Sequence, residues 1–168
     1  PAPKDYTSGR QLSHAVSETC GRCHFDKAVK ARDSIHADLL AKGDQRAPGC
    51  SDCHGAHQIG PGALAKTLDG VPCRKCHEEI YDAFRTSVHG MAKNAGTTQP
   101  PLCAACHNAH DVKPAMASRT PRDMCLACHP SYEADHGQRL PNPKAHLEMV
   151  ACTACHVPAD YKRSIYLR

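Results

Sequence analysis

The twelve cysteines of this chain fall without remainder into six copies of one five-residue pattern, C-x-x-C-H. The copies are Cys20-Gly-Arg-Cys23-His24, Cys50-Ser-Asp-Cys53-His54, Cys73-Arg-Lys-Cys76-His77, Cys103-Ala-Ala-Cys106-His107, Cys125-Leu-Ala-Cys128-His129 and Cys152-Thr-Ala-Cys155-His156. At the chain's own Cys and His frequencies roughly 0.07 such motifs would arise by chance. Two cysteines in this spacing can form thioethers to the two vinyl positions along one haem edge, and the adjacent His then lies beneath the iron as proximal ligand. A disulfide scaffold would need no such spacing. Zinc sites pair C-x-x-C units but call for no invariably adjacent His, and thioredoxin-like dithiols occur once in a fold. Six covalent haem c groups are therefore expected, one for every 28 of the 168 residues.

Composition says what such a chain must be built around. Trp is absent and there are two Phe, whereas Cys, His, Gly and Pro account for 49 of 168 residues. An ordinary apolar core is beyond these side chains, so the macrocycles are expected to fill the interior. Apolar residues recur at roughly helical spacing from Phe25 through Val29 and Ile35 to Leu39, ending at Gly43, and again from Ile80 through Phe84 and Val88 to Met91, ending at Gly96. Two helices are predicted there, each carrying a His on its apolar side. Elsewhere Pro and Gly punctuate the chain. The expected fold is mostly irregular, haem-cored, with a few short helices and little or no sheet, as a single domain over residues 1–168.

A shift of 53 places superimposes one stretch of the chain on the next. It carries Cys20, Cys23 and His24 onto Cys73, Cys76 and His77, His36 onto His89, the second motif onto the fourth, and His57 onto His110. Two repeat units of two haems each are expected over about residues 14–66 and 67–119, followed by a diverged two-haem unit over about 120–168.

Removing the six proximal histidines from thirteen leaves His14, His36, His57, His89, His110, His136 and His146. Seven candidates for six open axial positions predict two-histidine ligation throughout, which leaves no place on the iron for a substrate. Met91, Met116, Met124 and Met149 do not follow the repeat, so the higher potential of Met ligation is not expected. His57 follows His54 by what reads as one helical turn, so it must serve a neighbouring haem. On that reasoning His57 is expected at the first motif, His36 at the second, His110 at the third and His89 at the fourth. Among His14, His136 and His146 at least one is surplus unless it serves a neighbouring chain. Tyr81 and Tyr132, just after motifs, are candidates to pack on porphyrin or to make plain amphipathic contacts.

The formal charge is +4, but each ferric haem adds about −1, which brings the sum to about −2 oxidised and about −8 reduced. The basic balance is then no sign of nucleic acid. No apolar run reaches the length of a membrane span. The chain opens at Pro1 without a charged-then-apolar leader, and is expected to be the mature form of an exported periplasmic or extracellular protein.

The pattern Ser34-Ile35-His36 and Ser87-Val88-His89, with the C-x-x-C-H-x-x-H endings at His57 and His110, resembles multihaem cytochromes of the paired C-x-x-C-H type, found among periplasmic electron carriers and extracellular cytochrome filaments. The resemblance implies electron transfer along a closely spaced haem chain, and the count of seven candidates for six axial positions predicts a non-enzymatic carrier that serves redox partner proteins or extracellular acceptors. A homopolymeric filament is expected, with His14 crossing to the neighbouring chain from a Pro-rich N-terminal segment, Pro1 to Arg10. The alternatives are a monomeric periplasmic shuttle and, from a different class, a terminal reductase with one open haem.

Overall fold

A computed structural model describes residues 5–57, 59, 65–97, 100–113 and 121–156. The chain groups into two compact units, Pro1–Lys113 and Pro114–Arg168. Among the described residues the regular structure is helical, without strands, as the sequence predicts.

The first unit contains α1 (Gly9–Cys23), α2 (Phe25–Arg32), α3 (Ile35–Ala41), α4 (Cys50–His54), a 3-10 turn (Pro72–Lys75), α5 (Glu78–Arg85), α6 (Val88–Asn94) and α7 (Cys103–His107). The second contains α8 (Pro121–Leu126), α9 (Tyr132–His136), α10 (Pro143–Met149) and α11 (Cys152–His156). Apart from α1, with 15 residues, the helices have eight residues or fewer.

The two long helices predicted after the first and third motifs are each two helices. At the first break Ser34 donates its hydroxyl to the Ala31 carbonyl (2.6 Å) and accepts from the Ala37 N–H (3.2 Å). Ser87 repeats both bonds with Phe84 (2.6 Å) and Gly90 (3.2 Å). A serine that caps the following helix competes with continuation of the preceding one, and this overrides the apolar periodicity. Gly43 and Gly96 do end the second helix of each pair, at φ +90° and +87°, the left-handed conformation that closes helices. Gly90 is needed for a different reason. A Cβ there would lie 2.2 Å from the Phe84 carbonyl, so the α5–α6 corner closes only without a side chain.

Side chains build almost no core. Ala47, Leu68 and Val71 are the buried apolar residues among those described, while Phe25 is 69% exposed and Val88 73%.

In place of apolar burial, a polar network holds α4 on α1. Asp52, inside the second motif, accepts from Ser13 Oγ (2.6 Å) and the Gly49 N–H (2.7 Å), and pairs with Arg10 (2.9 Å). Ser51 Oγ donates to Ser13 Oγ, and Ser17 Oγ accepts from the Cys50 N–H, both at 2.8 Å. The carboxylate reaching back to the backbone N–H ahead of its own helix is one arm of a capping box. The hydrogen bonds from Ser13 and Gly49 and the Arg10 guanidinium together outweigh burial and lower the Asp52 pKa.

Candidate haem-binding site

Each C-x-x-C pair occupies about one turn: the end of α1, α4, the 3-10 turn with Cys76 just after it, α7, the end of α8 with Cys128 in the turn just after it, and α11. Residues three apart on a helix share a face, so both sulfurs of a motif are offered to the same side. All twelve cysteines are free of disulfides. The proximal histidine then ends the turn. After His54 the chain turns at Gly55 (φ +76°), and after His107 at the equivalent Asn108 (φ 62°). The helix therefore does not continue from His54 to His57, contrary to the single-turn spacing expected from sequence.

Pairs of imidazoles lie close together: His36 and His77 have ring centroids 6.3 Å apart with planes at 28°, His110 and His54 5.9 Å at 12°, and His136 and His156 5.7 Å at 85°. Two imidazoles on opposite sides of one metal, with metal–N bonds of about 2 Å and about 1.2 Å from nitrogen to ring centre, would have centroids roughly 6.4 Å apart. Each pair joins a proximal histidine to one of the seven candidates. The pairing expected from sequence differs: His36 faces the third motif rather than the second, and His110 the second rather than the third.

Electrostatics favour the metal-binding form of His36 and His110. Burial, then the neighbouring His77, lowers the His36 pKa, and burial, then His54, lowers that of His110. A neutral imidazole is the form that ligates. Two histidines are also oriented from behind. His136 Nδ1 lies 2.6 Å from the Tyr132 carbonyl and His107 Nδ1 3.2 Å from the Lys113 carbonyl. A carbonyl on Nδ1 makes it the protonated nitrogen and leaves Nε2 as the donor.

The other candidates are placed differently. His14 lies within α1, with Nε2 2.8 Å from the Ala47 carbonyl of its own chain, rather than on an extended N-terminal segment. His57 and His146 are exposed, as are the proximal His24 and His129. His89 is half-buried in α6. Of the two tyrosines, Tyr81 donates to Asp69 (2.9 Å) beneath Arg74, and Tyr132 accepts from Arg122 (2.9 Å). Met91 and Met149 are exposed, Met124 is half-buried, and Met116 lies outside the described residues.

Neighbouring motifs touch, which the spacing alone did not reveal. Through Ser17 and Cys50 the first motif's helix carries the second. Lys75 Nζ in the third donates to the Asp52 carbonyl in the second at 2.8 Å. A hydrogen bond from the Cys103 thiol holds the Cys73 thiol down to about 6 and pushes Cys103 up, joining the third motif to the fourth. Burial, then Cys73, raises Cys53. In the second unit α8 and α11 pack together, bringing the fifth and sixth motifs into contact.

These residues fit haem c. Candidate donors come as neighbouring imidazole pairs, and no group of three or more metal-binding side chains is present among the described residues, whereas a bare zinc ion takes three or four protein ligands. A haem macrocycle held by these histidines and cysteines would supply the apolar bulk that the core lacks. A family model described as cytochrome c554 and c-prime matches residues 72–157, about half of the chain, spanning the third to sixth motifs. No curated protein and no solved structure matches.

Proposed function

The chain belongs to the cytochrome c554 and c-prime family, and from that premise we propose that it conducts electrons along six covalently attached haem c groups, each held between two histidines. Electron transfer to redox partners and covalent haem follow from the family. The number six rests on the motif count, and the two-histidine ligation on the opposed imidazole pairs, the observation that carries the reading. Haem c supplies a one-electron iron couple when bound. The polypeptide tethers each ring through two sulfurs, holds the axial positions with imidazoles, and within each unit sets successive motifs in contact so that their groups lie close. An axial position filled by histidine admits no substrate, which supports a carrier rather than a reductase.

The protein is proposed to work in the periplasm or outside the cell, where c-type haem is attached. Among the described residues no helix is long and apolar enough to cross a membrane. Of the two assemblies such a wire could serve, the monomeric shuttle is favoured. The filament reading rested on His14 reaching a neighbouring chain, and the Nε2 of His14 is engaged with Ala47 instead.

Mass measurement of the purified protein should count six covalent haems, and electron paramagnetic resonance of the oxidised form should show only low-spin ferric signals. A stoichiometric high-spin signal, with one native haem binding carbon monoxide, would establish the reductase reading. Electron microscopy of natively secreted material should show discrete particles; ordered fibres would restore the filament.

A further inference from the structure

The two repeats are equivalent in sequence, yet the opposed imidazoles do not stay within a repeat. His36, from the first, faces His77, the proximal histidine that opens the second. His110, which closes the second, faces His54 of the first. We propose that the haems of the second and third motifs are reciprocally cross-ligated, His36 serving the third and His110 the second, so that neither repeat completes its coordination alone. The proposal rests on the haem reading above.

Independent contacts converge on the exchange. Ile35, beside His36, donates its backbone N–H to the Val112 carbonyl, two residues past His110, at 2.9 Å. Lys113 pairs with the Asp33 carboxylate at 3.0 Å and also donates to the Asp33 carbonyl. Both crossing imidazoles therefore hang from one clasp between the α2–α3 corner and the segment after α7. The Lys75 bond to Asp52 draws the two receiving motifs together. The chain segments that the two ligations close, 36–77 and 54–110, overlap. Cross-links with overlapping loops restrict the unfolded chain jointly, and release of one imidazole pulls on the clasp that positions the other.

Carbon monoxide, which needs an open axial position, reads out the exchange in the full chain. His110→Ala should add one equivalent of carbon monoxide binding per chain. In a Cys50→Ala/Cys53→Ala background, which lacks the haem of the second motif, His110→Ala should add none. In a Cys73→Ala/Cys76→Ala background it should still add one. His36→Ala should give the mirror pattern, losing its effect only in the Cys73→Ala/Cys76→Ala background. The reverse assignment, or an effect insensitive to both backgrounds, overturns cross-ligation. For backgrounds that do not mature, nuclear Overhauser contacts in the reduced, diamagnetic wild type answer the same question. The His110 ring should contact the thioether bridges of Cys50 and Cys53, and contacts to those of Cys73 and Cys76 instead would refute the proposal. A chain whose mass shows no covalent haem fails the underlying haem reading separately.

Discussion

At the scale of single residues, the positions between the cysteines carry more structure than a motif written with x suggests. Ser51 and Asp52 are the two variable positions of the second motif, and both bind α1. Gly49, just before them, faces the same network. Its backbone is extended (φ −93°, ψ −177°), so any residue could adopt it, but a Cβ would lie 2.6 Å from Ser13 Oγ and 2.9 Å from the Ser13 carbonyl. Gly49→Ala is expected to destabilise the holoprotein by about 1–3 kcal/mol through this overpacking, measured as a lower denaturant midpoint at unchanged haem content. His14 belongs to the same interface. His14→Ala should leave six low-spin haems and lower stability by about 1 kcal/mol for the lost bond to Ala47. A new high-spin haem in that variant would show that His14 ligates iron after all.

Elements answer to the serine corners. Ser34 and Ser87 each bond both the helix they end and the helix they begin. Ser34→Ala should cost about 1 kcal/mol of cap energy. It should also loosen His36, two residues on, seen as partial high-spin character that Ser34→Thr restores. Acid should act on the same elements. Burial and a facing imidazole hold His36 and His110 below the ordinary value of 6.5. The unfolded chain therefore takes up these protons first as pH falls. The stability they contribute is present above pH 6.5 and declines as pH drops through the depressed folded values; competition between proton and iron for the same nitrogen has the same sign. Denaturation midpoints should therefore fall between pH 7 and pH 5, with high-spin signals appearing. A midpoint that rises over that interval would contradict the lowered His36 and His110 values.

For the whole molecule, the shortage of buried apolar side chains is the governing fact. With Ala47, Leu68 and Val71 as the buried apolar residues described, the polypeptide cannot offset its conformational entropy by itself. Chain expressed without haem attachment should give coil-like circular dichroism and no cooperative thermal transition. A cooperatively folded apoprotein would mean that the side-chain contacts suffice without the cofactor.

The covalent haem cofactor of the family and the helical class were legible in the sequence, because covalent haem attachment demands a local spacing and local spacing is written along the chain. Even the ends of α3 and α6 were readable, since Gly43 and Gly96 adopt a backbone conformation that other residues resist. The helix breaks were half legible: Ser34 and Ser87 stood in the repeated S-[IV]-H, but the apolar period on either side masked their capping role. What only the tertiary structure decided is which imidazole meets which. His57 and His110 are equivalent in sequence, yet His57 is exposed while the His110 ring lies beside the proximal His54. Ligand pairing depends on how one turn at Gly55 or Asn108 and one clasp at Ile35 and Val112 aim side chains across tens of residues of sequence, and equal local patterns do not determine unequal long-range contacts.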